Sequence, residues 1–318
     1  MGTPLFPELK PITLDDQSFL HDALWKFQPV ISELTFTNLF MWRNYYHFKW
    51  TVLGDIIFLF AGTHSDFFAM QPIGQRPFKK SIFSVLSWLR NEQNQTNPHF
   101  DRVDKETADE FKDESSIKSE PLINHYDYLY NANNLISLAG RHFHSKRNHL
   151  TRFANEYNYH YQELTPGLIP QCLRLADYWC ERYHCRKDTD LCAEWKATRE
   201  VLTNFEVLNC KGGVISVNNT VESFTLGEML NRSTAVIHTE KANTDIHGIY
   251  TAINQNFCNH AWSECEYINR EQDLGEQGLR DAKLSYHPKT MVEKFRISFP
   301  IDSAQGAPHS HQVNHFFI

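Results

Sequence analysis

The sequence predicts an α+β protein of two domains, each a mixed, mostly antiparallel sheet flanked by helices. Three observations predict it. The chain has 318 residues, about twice the ~150 of an average domain. Its 23 Phe, 13 Tyr and 7 Trp supply apolar surface for two cores. Alternating runs and helix-spaced runs follow one another in the same order in both halves.

The second half shows the order more clearly. Residues 158–166, NYHYQELTP, alternate, are rich in Tyr and stop at Pro-Gly, the pattern of a strand. Leu168, Cys172, Leu175, Ala176, Trp179, Cys180 and Tyr183 recur at helical spacing. A second helix carries Leu191, Trp195, Leu202 and Phe205 and ends before Gly212-Gly213. GVISV, ESFTLGEML and TAVIHTEKA are three strands separated by Asn218-Asn219 and by Asn-Arg-Ser. A helix with Ile246, Ile249, Tyr250, Ile253 and Phe257 precedes the strand CEYINRE; a helix over residues 274–283 and the strand TMVEKFRI close the set.

The first half repeats the pattern with helices at 14–27 and 36–46 and strands KWTVL, IIFLFAG and FFAMQPIG. A helix at 78–92, the strand FDRV, an acidic helix at 106–114 and the strand HYDYLY follow. Strand, two helices, three strands, helix, strand, helix, strand resembles the order of the GNAT acyltransferase fold, whose sheet splays apart to admit an acyl donor. The expected domains are 1–135 and 136–299, joined near residues 131–141, with a loose, aperiodic tail at 300–318.

Composition excludes several classes. With 41% hydrophobic and 22% charged residues, the chain is globular rather than disordered. The longest apolar run, Ile56 to Ala61, is six residues, against the ~20 of a membrane helix. The amino terminus, MGTPLFPELK, lacks the pattern of a signal peptide. The seven cysteines form no CxxC pair, so reduced thiols in a cytoplasmic protein are expected. A net charge of −7 argues against wholesale coating of nucleic acid but allows a local basic patch.

Three segments carry chemistry. Between Tyr128 and Asn155 there is no Asp or Glu, while Arg141, Lys146, Arg147 and Arg152 supply positive charge, with His142, His144 and His149. Arg141, His144, Asn148 and Arg152 share one helical face, a stripe suited to phosphates. The alternative is a solvated face that pairs with the acidic stretch 101–114. In HTEKANTDIHGIYTAINQNF, a strand runs into a helix where CoA-using enzymes carry a glycine-rich phosphate loop. Here the loop has one glycine, and Asp245 stands where it would cap the helix with a carboxylate, which argues against CoA. Glu240 and Lys241 end this strand, as a pocket-lining pair or as an ordinary ion pair. In YINREQDLGEQGLRDAKLSYHP, Asn269, Arg270, Glu271 and Asp273 cluster at a strand end, with Arg280, Lys283, Ser285 and Tyr286 one helix later. Carboxylate, guanidinium and phenol together suit an amino-acid-like group and a proton transfer. Helix capping by Asp273 and Glu276 accounts for only part of the cluster.

Weaker signals include Gly74, Arg76, Lys79 and Lys80, which form an anion cradle or a plain helix start. Cys172, Cys180, Cys185 and Cys192 are spaced unlike zinc ligands. His309, His311 and His315 lie in the tail. No metal site is expected.

The segments SELTFTNLFMWRNYYHF, GRHFHSKRNHLTRF, AVIHTEKANTDIHGIYTAINQNF and YINREQDLGEQGLRDAKLSYHP together resemble a bacterial family. That family shares the C-terminal domain of phosphatidylglycerol lysyltransferases, and the likeness runs over residues 15–297. It implies two fused GNAT-like domains and aminoacyl or acyl transfer. The implied donor is aminoacyl-tRNA or another phosphate-bearing molecule, with acetyl-CoA second. The acceptor is an amine or hydroxyl of a small molecule, peptide or lipid head group. Unlike the lipid-modifying relatives, this sequence shows no membrane spans. By the resemblance, the catalytic groups are Glu240, Arg270, Glu271 and Tyr286. Arg141, Lys146, Arg147, Asn148, Lys241, Asn269, Asp273, Arg280 and Lys283 bind substrate. A CoA-dependent N-acyltransferase and a non-catalytic binding paralogue are the alternatives.

Overall fold

The structure is a computed structural model and describes residues 2–300; the expected tail beyond Pro300, with His309, His311 and His315, lies outside them. Along the chain come β1 (Lys10–Pro11), α1 (Gln17–Phe27), α2 (Phe36–Tyr46), β2 (Lys49–Leu53), β3 (Ile56–Thr63), β4 (Asp66–Met70), α3 (Lys79–Asn91), β5 (His99–Asp104), α4 (Lys105–Asp109) and β6 (Lys118–Pro121). Then follow β7 (Asp127–Asn131), α5 (Ala132–Ser137), α6 (His144–Glu156), β8 (Tyr159–Glu163), α7 (Ile169–Arg182), α8 (Thr189–Thr203), α9 (Phe205–Leu208), β9 (Lys211–Val217) and β10 (Thr220–Met229). β11 (Thr234–Ala242), α10 (Ile249–Ala261), β12 (Tyr267–Asn269), α11 (Gln277–Leu284), β13 (Thr290–Val292) and β14 (Lys294–Ser298) complete the order.

Local chemistry sets the boundaries. The Thr35 hydroxyl accepts from Asn38 N (3.1 Å) and starts α2; Asp188 accepts from Asp190 N and Leu191 N (both 2.9 Å) and starts α8. Asn218 and Asn219 both take positive φ (49° and 66°), the conformation that two-residue hairpins require. They join β9 to β10.

Two seven-stranded sheets result, ordered β1-β2-β3-β4-β5-β14-β6 and β8-β9-β10-β11-β12-β7-β13. In each, the fourth and fifth strands form a parallel pair among antiparallel ones. The first core packs Phe58, Phe60, Phe78 and Phe100 with α3 residues Ile82, Val85 and Leu86. The second packs Tyr128, Tyr130, Ile237, Ile268 and Trp262 against Phe257 of α10.

Strand partnership departs from the expected division at residue 135. The first unit comprises 1–126 and the segment from Val292; the second comprises 127–291. HYDYLY, read as the last strand of the first domain, supplies β7, which pairs with β12 in the second sheet. TMVEKFRI, read as one strand, divides at Glu293: β13 joins the second sheet, and β14 lies between β5 and β6 of the first. Alternation declares a strand but not its neighbour. The acidic helix at 106–114 shrinks to α4.

The reduced-thiol expectation is also corrected, because Cys180 and Cys185 form a disulfide. The end of α7 and the turn after it bring their Cα atoms to 4.9 Å, within the span a disulfide bridges. Cys172, Cys192, Cys210, Cys258 and Cys265 are free.

β14 is anchored by a buried ion pair. Lys294 Nζ reaches Glu33 Oε1 (2.8 Å) and Oε2 (2.7 Å), with both side chains sealed from water. Removing Lys294 takes both of these contacts from a buried carboxylate, which keeps Arg102 at 3.9 Å. We therefore expect Lys294→Met to destabilise the protein by about 3 kcal/mol, read by urea unfolding. A change within experimental error would show that Glu33 does not depend on this lysine.

Candidate functional site

β11 and β12 pair over three residues, Thr234↔Tyr267, Ala235↔Ile268 and Val236↔Asn269. β11 runs on to Ala242 while β12 stops. Beyond Val236 the two strand ends are bridged by side chains instead of backbone. Carboxyl ends of parallel strands are where such sheets hold ligands.

Alternation along β11 sorts the side chains between two faces. Thr225 lies opposite both Glu240 and Gly213. A Cβ on Gly213 would meet Phe257 of α10 at 3.1 Å, and Asn254 of α10 donates to Glu240 at 3.3 Å. Glu240 therefore lies beneath α10. There Arg270 Nη2 donates to Glu240 Oε2 at 2.7 Å. The guanidinium lies 4.8 Å from the centroid of Tyr286 and 5.8 Å from that of Tyr130. Burial works against its charge, but Glu240 and the two phenols outweigh it and hold the pKa above the usual arginine value. Tyr286 reaches Thr251 of α10 at 3.4 Å, and Lys146 of α6 stands 3.9 Å from the Tyr286 centroid. Four buried polar atoms here have no partner among the described residues: Glu240 Oε1, Asn254 Oδ1, Thr225 Oγ1 and Arg270 Nη1. Buried orphans of this kind are rare and mark a place for water or ligand.

The opposite face, under α7 and α8, holds different groups. Lys241 Nζ pairs with Glu194 of α8 at 2.6 Å and lies 3.5 Å from the centroid of Trp179 of α7. Glu240 and Lys241 are thus not one pocket-lining pair, since consecutive strand residues point opposite ways. A β-bulge adds a second departure. Leu226 pairs with Thr239 and Gly227 with Ile237, which leaves His238 as the extra residue. Its ring is sealed from water between Glu271 Oε1 (2.8 Å, at Nδ1) and Glu228 Oε1 (2.9 Å, at Nε2). Burial opposes protonation, yet the two carboxylate hydrogen bonds outweigh it and push the His238 pKa up to about 9. Glu271 therefore faces an imidazolium rather than Arg270's pocket.

The turn after β12 makes this split. Asn269 Oδ1 accepts from Glu271 N (2.8 Å) and its Nδ2 donates to Asp127 (3.1 Å), while Glu271 takes φ 57°. Lys283 Nζ donates to the carbonyls of Arg270 and Glu271. Burial and the Arg270 charge pull its pKa down to about 8. Asp273 accepts from Tyr128 OH, from Arg280 Nε (2.7 Å) and from Gly275 N (2.8 Å). It braces the turn before α11 instead of capping that helix, whose N-cap is Glu276.

In the basic segment, the Arg141, His144, Asn148 and Arg152 face is exposed. Arg152 pairs with Glu156 (2.6 Å), and Asn148 meets His144 (3.2 Å). Arg147 instead closes the start of α6 through the Leu138 and Gly140 carbonyls. In the loop after β11, Asp245 does not cap α10, whose N-cap is Gly248. It forms a bidentate pair with Arg182 (2.7 Å twice). A Cβ at Gly248 would come within 2.7 Å of His149 O, so close helix packing requires this glycine. The cradle expected near Gly74 is filled from within: Glu110 Oε2 accepts from Phe78 N (2.7 Å) and Lys79 N (2.8 Å) at the start of α3. Arg76 is held by Asp104 at 2.6 Å.

Sequence reasoning missed Asn254, Thr225, Glu228 and His238. Asn254 was legible in part, because Thr251, Asn254 and Cys258 share a helical side. His238 was not, because only the bulge turns it between two carboxylates.

Two α+β units, each a mixed sheet with one splayed parallel pair, define a tandem GNAT-like protein. The chain belongs to the family described as "Phosphatidylglycerol lysyltransferase, C-terminal", which it matches over residues 26–298. A conserved protein of unknown function from Bacteroides thetaiotaomicron is 32% identical with TM-score 0.86, covering 92% of this chain and 99% of its own. L-PGS from Bacillus licheniformis shares the fold at 12% identity and TM-score 0.64, covering 90% of this chain and 92% of its own. A tandem GNAT protein from the clavulanic acid biosynthesis pathway shares it at 8% identity and TM-score 0.50, covering 93% and 99%. No curated protein sequence matches the chain. Among the described residues, no helix is long and apolar enough to cross a membrane. Fold and family are those of lysyl-phosphatidylglycerol-synthase-like, GNAT-fold acyltransferases.

A raised folded pKa means stability that is full below the unfolded pKa of ~6.5 and lost as pH rises through the folded one. The His238 contribution is therefore expected to fade between about pH 6.5 and about 9, by on the order of 3 kcal/mol. Urea unfolding across that window checks this. His238→Gln should remove the slope, and an equal slope in the variant would assign it elsewhere.

Proposed function

We propose that the second unit transfers an aminoacyl group from aminoacyl-tRNA to a hydroxyl or amine, on a lipid head group, a peptide or a small molecule. The observation that carries this reading is the set of unpartnered atoms beside Arg270. Arg270 Nη1 offers a donor, while Glu240 Oε1 and Asn254 Oδ1 offer acceptors. An aminoacyl ester answers both kinds: its carbonyl oxygen accepts from the guanidinium and its α-ammonium donates to the carboxylate and amide. An acetyl group has no ammonium and would leave the acceptors unmet, at ~1–3 kcal/mol each.

The phosphate-binding options point the same way. Glu110 occupies the start of α3, which disfavours a CoA pyrophosphate there. The exposed Arg141 and Arg152 face suits the donor's phosphates. In the reaction, Arg270 steadies the oxyanion that forms when the nucleophile adds to the acyl carbon. On this reading the protein works in the cytoplasm, where charged tRNA is found.

Two measurements test the reading. Thermal unfolding with alanyl-tRNA and lysyl-tRNA should show a raised midpoint that fades at high salt, with no response to acetyl-CoA. A shift with acetyl-CoA alone would favour CoA-dependent acyl transfer, and none with any donor a binding paralogue. Arg270→Ala should slow transfer by ~100-fold or more in a single-turnover assay; unchanged turnover would remove Arg270 from the chemistry.

A further inference from the structure

We propose that Lys146 is the general base of this site, taking the proton from the acceptor's oxygen or nitrogen as it attacks the acyl carbon. The proposal rests on the aminoacyl-transfer reading and adds to it the group that moves the proton. The resemblance implies two catalytic carboxylates, Glu240 and Glu271, and the geometry commits both elsewhere. Glu240 is ion-paired to Arg270 at 2.7 Å, and a carboxylate held by a guanidinium is a weak base. Glu271 is turned to the other face of the sheet and bonded to His238. Lys283 is bonded to two backbone carbonyls. Tyr286 is buried, and its pKa is raised by that burial.

Lys146 remains. Its Nζ lies 3.9 Å from the centroid of Tyr286, the ring that Arg270 also approaches at 4.8 Å. Among the described residues no carboxylate lies within ion-pair distance of it. The charged group that acts on it is Arg270, itself paired with Glu240, while Tyr286 supplies a neutral ring; His149 lies on its own helix, against His247 of the loop before α10. An amine half-withdrawn from water beside a fixed cation is readily deprotonated. Burial first and the Arg270 charge second bring its pKa down to about 8, close to the working range of a base.

The step balances without another reactant. The neutral Nζ takes the acceptor's proton as the acceptor–acyl bond forms and the carbonyl electrons move to the oxyanion at Arg270. When that intermediate collapses, the ester bond to the ribose oxygen breaks and the Lys146 ammonium returns the proton to the leaving oxygen.

Two measurements on the full chain decide it. In competitive labelling with trace acetic anhydride across pH 6–11, Lys146 should react with a midpoint well below that of the surface lysines. A midpoint shared with them overturns the proposal, whatever the turnover. In single-turnover transfer from alanyl- and lysyl-tRNA, Lys146→Arg keeps the charge but cannot serve as base. It should lose ~100-fold or more while retaining the donor-induced rise in unfolding temperature, and Lys146→Ala should regain rate with added methylamine. Wild-type rates in Lys146→Arg, or an alanine variant that methylamine does not rescue, overturn the base but leave aminoacyl transfer standing. A low labelling midpoint without turnover on any charged tRNA overturns both.

Discussion

A buried guanidinium is the constraint on which the second unit depends. Arg270 is largely withdrawn from water, its side chain 15% exposed, and such a charge persists in a folded protein only with close partners. Glu240 supplies the counter-charge from β11, Tyr286 and Tyr130 supply ring faces, and Lys283 ties down the carbonyl of the same residue. These groups come from three parts of the chain. They converge because β12 stops after three paired residues while β11 continues, leaving a gap that side chains must fill. One edge of the guanidinium and one carboxylate oxygen stay unanswered. That half-satisfied state is the feature on which the proposed function rests.

The turn at Asn269–Glu271 divides the chemistry between the two faces of the sheet. Arg270 goes beneath α10, whereas Glu271 goes to His238 beneath α7 and α8. The Glu228–His238–Glu271 clamp spans the same gap from the other side, so the divergence of β11 and β12 is held by two charged links. Breaking either would free a strand end whose geometry positions the other.

The first sheet repeats the strand order but closes its gap differently. Arg102 stands one residue past the Met70↔Asp101 pair, as Arg270 stands one past Val236↔Asn269. Glu33 near Arg102 is answered on both oxygens by Lys294. At the start of α3 the free N–H groups of Phe78 and Lys79 are taken by Glu110. Stability of the unit also depends on β14, a strand made after the whole second unit.

Much of this was legible in the sequence, for identifiable reasons. Helical and alternating apolar periods follow from backbone geometry, so the elements and the α+β class could be read directly, as could the meeting of Arg270 with Tyr286. Strand order could not, since alternation says which face is buried and not which neighbour is paired; hence β7 and β14 lie in sheets other than those expected. The faces of Glu240, Lys241 and Glu271 were equally hidden, because a bulge and a left-handed turn set them. What Lys146 faces was decided by tertiary structure alone. Its charge is written in the chain, but the removal of water and the approach of Arg270, more than a hundred residues away, arise only when α6 packs on α10 and Lys146 reaches the Tyr286 ring.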